Sequence, residues 1–99
     1  MQVQAVENWA LISGKLDAIN DHSELSDYAS AMVTVTEVTP VEGYPNLFSW
    51  AVGKQISINI PKTKVDQLAL APGDSLRARV RKAGPTSSFA DPHEIAKTS

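Results

Sequence analysis

The 99-residue chain contains no cysteine, and its aromatic residues number only two each of Trp, Tyr and Phe. Without cysteine, the protein can form neither a disulfide nor a thiolate metal site. No apolar run exceeds four residues, as in Trp-Ala-Leu-Ile at residues 9–12, which is far shorter than the about 20 apolar residues that a membrane-spanning helix needs. The first residues show neither a basic start nor a hydrophobic stretch behind it, so no secretory signal is visible. We therefore expect a soluble globular protein of the cytoplasm that does not associate with membranes.

Motifs for catalysis, metal binding and phosphate binding are also missing from the sequence. The five glycines are scattered at positions 14, 43, 53, 73 and 84, so they build no glycine-rich loop for phosphate. There is no Gly-x-Ser-x-Gly motif, and neither histidine stands in an arrangement that suggests a general base. The acidic residues around His22 fit no EF-hand and no zinc-binding spacing. The sequence thus predicts a protein that is not an enzyme and carries no metal and no cofactor.

Length and charge indicate a single ordinary domain. A chain of this size forms one core and buries only about two-thirds of its surface. The formal net charge is −2 and the sequence pI is about 5.5. This balance does not favour a general binder of polyanions, although a local basic patch can outweigh the net charge.

Alternation of apolar and polar residues, which is typical of half-buried strands, dominates the sequence. It predicts strands at residues 10–18, 29–38, 48–52, 56–60 and 76–81. In the last of these strands, Leu76, Ala78 and Val80 should face inward. The three arginines of the strand should face outward. Gly14, inside the first strand, indicates a bulge or a sharp bend. Gly53 either separates the strand at 48–52 from the next one or kinks one long strand.

Turn-forming residues separate these strands. Two prolines and a glycine mark a loop at residues 39–46, and a polar, acidic stretch marks another at 20–27. After Pro61, Thr63 is expected to cap a short helix that places Val65 and Leu68 on one side. Residues 72–74, Pro-Gly-Asp, form a turn into the arginine-rich strand. We expect residues 1–83 to form the domain, and residues 84–99 to form either a short last strand around Phe89 or a mobile tail.

The order of these elements predicts a mainly β protein. With so few strands, closure into a barrel removes exposed strand edges and the aggregation that they promote. The favoured architecture is a small five-stranded barrel of the oligonucleotide/oligosaccharide-binding (OB) type, with one short helix between strands 3 and 4. An SH3-like barrel is the second choice.

The segment from residue 60 to residue 83 resembles the second half of the TOBE/MOP family. Members of that family are small OB-like barrels attached to ABC-transporter ATPases and to molybdate-handling proteins. Matching spacings are carried by eight positions, namely Ile60, Val65, Leu68, Leu70, Gly73, Leu76, Ala78 and Val80. The resemblance implies a non-enzymatic accessory barrel for ligand binding or docking. It would hold a small oxyanion or an oligosaccharide near Lys62, Thr63, Lys64 and Arg81, and would pair with itself or with a partner subunit.

A second hypothesis rests on the arginines and aromatic residues. Arg77, Arg79 and Arg81 alternate and therefore project from one face, where guanidinium groups suit phosphate. Phe48 and Trp50 lie two residues apart, so within a strand they would share one side. Proteins that bind single strands combine such aromatic platforms with a basic groove. The alternative function is therefore binding of single-stranded DNA or RNA by an OB-fold protein.

Structural roles remain open for both groups of residues. The arginines can instead form a solvated face that pairs with carboxylates on neighbouring strands, and Phe48 and Trp50 can instead fill the barrel. A third hypothesis is an adaptor whose free strand edge pairs with a partner protein. The sequence leaves these alternatives open.

Overall fold

Five strands and two short helices account for the regular structure of the described part of the chain. The computed structural model describes residues 7–85 and 87–98. The elements are β1 (Ala10–Asp21), β2 (Tyr28–Pro40), a 3₁₀ helix (Ser49–Ala51), β3 (Gln55–Pro61), α1 (Lys62–Leu68), β4 (Ser75–Lys82) and β5 (Ser88–Lys97). The strands close into a barrel in the order β1-β2-β3-β5-β4. The prediction of a mainly β, five-stranded barrel with a short helix between strands 3 and 4 is confirmed.

The predicted domain boundaries include positions without a described structure. Residues 1–6 of the predicted domain, and positions 86 and 99 of the predicted tail, lie outside the described residues. Residues 88–97 form β5, which pairs antiparallel with β4 and meets β3 in parallel at Asn59 and Phe89. Within the part of the chain that the structure describes, no helix has the length and apolar character to cross a membrane.

The two long strands β1 and β2 are bent around the barrel by irregularities in their pairing. The register shifts between Ser13 and Gly14 and again between Leu16 and Ala18. At Gly14 the partner strand comes so close that a Cβ would lie 2.5 Å from the carbonyl oxygen of Thr34. The bulge predicted at Gly14 is therefore confirmed, and it supplies the extra twist that a small closed barrel requires.

The core consists of the inward-facing residues of the alternating strands. In β4, Leu76, Ala78 and Val80 are buried while the arginines point outward, as the alternation predicts. The largest side chains that are fully enclosed are Phe48, Ile12, Leu16, Ile58, Ile60, Leu76, Val33, Val35 and Val80. Enclosing each Leu, Ile or Phe contributes about 1.5–3 kcal/mol.

The barrel has two distinct ends. Val65 and Leu68 of α1 pack against the core at one end, which we call the helix end. Ala10 pairs with both Pro40 and Val80, so the start of β1, the end of β2 and the end of β4 meet at the opposite end. The β2–β3 connection covers that opposite end with Phe48, whose exposure is 1%. We call it the Phe48 end.

Two local predictions are wrong. Residues 48–52 do not form a strand, because the amide of Ala51 donates to the carbonyl of Phe48 at 2.9 Å and closes a 3₁₀ turn. Gly53 then reverses the chain into β3 with a φ of +82°. Thr63 does not cap α1, since the helix begins at Lys62 and its N-cap is Pro61, two residues before Thr63 and without a side-chain cap hydrogen bond.

Candidate functional site

The outer face of β4 carries the charged residues of the predicted interface. Arg77, Arg79 and Arg81 all point outward there. Arg77 pairs in register with Ser13 of β1 and Ala96 of β5, and its side chain is exposed. The other two arginines, and Lys82 after them, lie against aromatic rings.

Arg79 is held between two rings that come from distant parts of the chain. Its guanidinium carbon lies 4.5 Å from the ring centroid of Trp9 and 5.6 Å from that of Tyr44. Glu94 of β5 reaches the same guanidinium at 3.9 Å. The Nε atom is buried and has no hydrogen-bond partner among the described residues. Arg79 is thus fixed by stacking while part of its hydrogen-bonding capacity is unused.

Arg81 forms the next contact along the same face. In register it lies directly opposite Phe89 of β5, and its guanidinium carbon is 5.2 Å from the ring centroid of Phe89. That ring meets Tyr28 of β2 edge to face, with centroids 5.5 Å apart. We call Tyr44, Arg79, Trp9, Arg81, Phe89 and Tyr28 together the aromatic–arginine row.

Trp50 and Phe48 have opposite environments. Phe48 is enclosed in the core, whereas Trp50 is 51% exposed. Residues two apart on a 3₁₀ helix are about two-thirds of a turn apart, so they do not share a face as they would in a strand. The ammonium of Lys82 lies 5.8 Å from the ring centroid of Trp50. Phe48 is therefore a core residue and no longer a candidate for nucleic-acid binding, whereas Trp50 lies on the surface and stays a candidate.

The predicted anion-binding residues do not form one cluster. Lys62, Thr63 and Lys64 occupy the first turn of α1 at the helix end, and Lys62 forms an ion pair with Asp21 at 3.4 Å. Arg81 lies near the end of β4, and its guanidinium packs on Phe89 of β5, which pairs with Asn59 of β3. Lys62, Thr63 and Lys64 are thus consecutive in α1, while the ring contact of Arg81 is with Phe89.

Carboxylates elsewhere in the barrel are engaged in structural hydrogen bonds. The hydroxyl of Thr34 and the amide of Gln55 donate to Asp17, and these bonds hold the pKa of Asp17 below its ordinary value. The Ala71 amide and the Lys97 ammonium likewise lower the pKa of Asp74. Across the described residues, no group of three or more His, Asp or Glu side chains could hold a metal ion.

Most of the aromatic–arginine row could not be read from local sequence. Trp9 precedes β1, Tyr44 belongs to the β2–β3 connection, and Phe89 lies in a segment with little periodicity. The signal that points to the row is the alternation of arginines in β4, which identifies the face but not its aromatic partners.

Comparison with known proteins adds no further information to this geometry. No protein-family model matches the chain, and a search of curated proteins finds no match. The resemblance to the TOBE/MOP family stays a prediction.

Proposed function

We propose that this barrel binds single-stranded nucleic acid across the outer face of β4 and β5. The observation that carries the proposal is that Arg79 and Arg81, on this outer face, each lie over aromatic rings, at 4.5–5.6 Å. A flexible single strand presents phosphates and unpaired bases. Cations can bind the phosphates and neighbouring rings can stack on the bases.

The two kinds of side chain have complementary roles in this proposal. Guanidinium groups donate paired hydrogen bonds to phosphate oxygens. Rings stack on bases, and each stacked base contributes roughly 1–3 kcal/mol. Because the rings already hold Arg79 and Arg81 in place, less side-chain entropy is lost when phosphate binds.

The net negative charge of the chain is compatible with this face. Asp21 ends β1, and Glu24 and Asp27 follow in the β1–β2 loop, so these carboxylates lie at the helix end. Arg79, Arg81 and Lys82 lie in the second half of β4. A local group of cations can bind phosphate on an acidic protein, and within this row the carboxylate that reaches Arg79 is Glu94, at 3.9 Å.

Titration of a labelled oligothymidylate, followed by fluorescence anisotropy at low salt, tests the proposal. Arg79→Ala and Arg81→Ala should each weaken binding about 5- to 20-fold and lower the salt slope by about 0.7 per lost phosphate contact. Lys64→Ala removes the same charge from α1 at the other end of the barrel and serves as the matched control. Absence of binding at low salt, or an equal loss in the Lys64 variant, would contradict the proposal.

The small-anion hypothesis has weaker geometric support, because Lys62 is already paired with Asp21 at 3.4 Å. Calorimetric titration with molybdate, tungstate, sulfate and phosphate addresses it directly. Heat that disappears in the Lys62→Ala variant would favour an anion site on α1 over the nucleic-acid interface. Pairing with a second subunit also stays a prediction of that hypothesis.

A further inference from the structure

A cleft at the Phe48 end adjoins the proposed interface but is separate from the aromatic–arginine row. It encloses about 180 Å³ between the 3₁₀ helix, the start of β3 and the loop that joins β4 to β5. Its lining includes Trp50, Lys82, Gln55, Ser57, Pro85 and Ser88. This size suits one planar ring system rather than a long stretch of polymer.

Trp50 forms a rigid wall of this cleft. Its indole N–H donates to the carbonyl of Leu47 at 2.8 Å, which fixes the ring on the 3₁₀ turn. The next core residue, Phe48, anchors that turn in the barrel. Since the polar atom of Trp50 is already satisfied, the exposed part of the ring offers an apolar, π-rich surface.

Lys82 stands opposite Trp50 on an equally rigid support. The side-chain amide of Asn8 accepts from the Lys82 amide and donates to its carbonyl, both at 2.8 Å. The backbone at the end of β4 is thereby fixed, while the ammonium lies over the indole. The flexible side chain of Lys82, on this fixed backbone, can turn from the ring to a phosphate at the mouth of the cleft.

Polar groups line the remaining wall. The amide nitrogen of Gln55 donates to Asp17 at 3.0 Å. An ionised carboxylate can only accept hydrogen bonds, so Asp17 bonds the amide nitrogen of Gln55 and not its carbonyl oxygen. The hydroxyl of Ser57 forms a hydrogen bond with Ser30 at 2.9 Å. The cleft thus pairs an aromatic platform with groups that can bond the polar edge of a base.

We infer that the Trp50 cleft holds one nucleobase of the bound strand, stacked on the indole in place of the Lys82 ammonium, which moves from the ring to the phosphate of that nucleotide. The inference rests on the proposed function, because the aromatic–arginine row would bind the neighbouring nucleotides. A nucleobase fits better than an apolar protein side chain, which would desolvate Lys82, Gln55 and Ser57 without hydrogen bonds in return.

Single-tryptophan variants allow the cleft and the row to be observed separately. Trp9→Phe leaves Trp50 as the only indole, and Trp50→Phe leaves Trp9. Each variant is titrated with oligothymidylate and with an abasic oligonucleotide of the same length. We expect oligothymidylate to quench Trp50 emission and the abasic strand to leave it unchanged. Equal quenching by both strands would overturn the inference, since the indole would then sense only the sugar-phosphate backbone.

Affinity measurements separate this inference from the function on which it rests. Trp50→Ala should weaken anisotropy-detected binding of oligothymidylate roughly 5- to 150-fold, the loss expected for one stacked base, and leave the abasic strand unaffected. Val52→Ala is the matched control, since Val52 is also 51% exposed beside the same turn. If Trp50→Ala binds both strands as the unaltered protein does, while Arg81→Ala does not, the base site is wrong and the proposed function stands. If the unaltered protein binds neither strand, both are wrong.

Discussion

Gly14 is the residue at which the barrel tolerates the least change. A Cβ built there would lie 2.5 Å from the Thr34 carbonyl oxygen and 2.6 Å from Cγ1 of Val33. Both neighbours belong to the buried ladder between β1 and β2, so neither can move without disturbing the register. We predict that Gly14→Ala lowers the free energy of unfolding by about 1–3 kcal/mol, the usual cost of overpacking. The midpoint of urea denaturation measures the loss.

Gly84 provides the matched control for this prediction. A Cβ there would meet nothing within 4 Å, and its φ lies outside the range that disfavours side chains. The change from Gly84 to Ala should therefore alter stability by no more than about 0.5 kcal/mol. Equal midpoints for the two variants would show that the close approach at Gly14 does not constrain the fold.

Phe48 and Trp50 show what single-residue patterns can and cannot predict. Their spacing correctly drew attention to both side chains, and it left open whether they fill the core or contact a ligand. In the structure Phe48 fills the core and Trp50 is exposed, because the 3₁₀ turn directs Phe48 inward and Trp50 outward. The turn depends on Gly53 and on hydrogen bonds to Val35 of β2, which are long-range contacts that a local pattern does not contain.

Among the elements, strands with unbroken alternation were predictable, whereas for β5 a short strand around Phe89 was one of two alternatives and its full length was not predicted. Val80 pairs with Ala90, but Ala78 pairs with Ile95, so four residues of β5 stand opposite Arg79 alone. Pro92 lies within those four residues and cannot donate to a ladder. The period of two is therefore lost within β5. Pairing with β4, rather than local propensity, makes this segment a strand.

The turn between α1 and β4 ties three elements together through Asp74. Its carboxylate accepts from the Ala71 amide at 2.8 Å and from the Lys97 ammonium of β5 at 3.3 Å. These contacts lower the pKa of Asp74 from its ordinary value of 3.8. The ionised group therefore stabilises the fold above the ordinary pKa, and this contribution is lost as the pH falls through the lowered value.

Replacement of Asp74 by Asn should reveal this dependence. The variant should be less stable than the unaltered protein at pH 7, and the difference should shrink as the pH falls below about 4. Urea denaturation across this pH range measures it. Asp27→Asn, which removes one exposed carboxylate from the β1–β2 loop, controls for the change in net charge. A stability difference that stays constant with pH would show that ionisation of Asp74 does not stabilise the turn.

At the scale of the whole molecule, closure of the barrel assembles the proposed interface. Trp9, Tyr44 and Phe89 come from three segments that are far apart in sequence, and they meet the arginines only when β4 pairs with both β1 and β5. The alternation of β4 predicted the charged half of the interface. The aromatic half depends on the strand order, so it could not be inferred from spacing along the chain.

Glu94 is the carboxylate that lies against this assembled row. Its oxygen is 3.9 Å from the Arg79 guanidinium, and its side chain is 54% exposed, against 23% for Arg79. An ion pair with this exposure contributes at most about 1 kcal/mol to stability. A phosphate that binds Arg79 must compete with Glu94, however, and the two negative charges repel one another at close range.

We therefore predict that Glu94→Gln leaves the unfolding midpoint nearly unchanged and tightens the binding of oligothymidylate by about two- to fivefold at low salt. The gain should decrease as salt screens the repulsion. Glu24→Gln makes the same change in charge at the helix end and should have a smaller effect on binding. Anisotropy titrations of the two variants at several salt concentrations make the comparison. Equal gains in both variants would mean that binding responds only to net charge, and the assignment of phosphate to Arg79 would then be wrong.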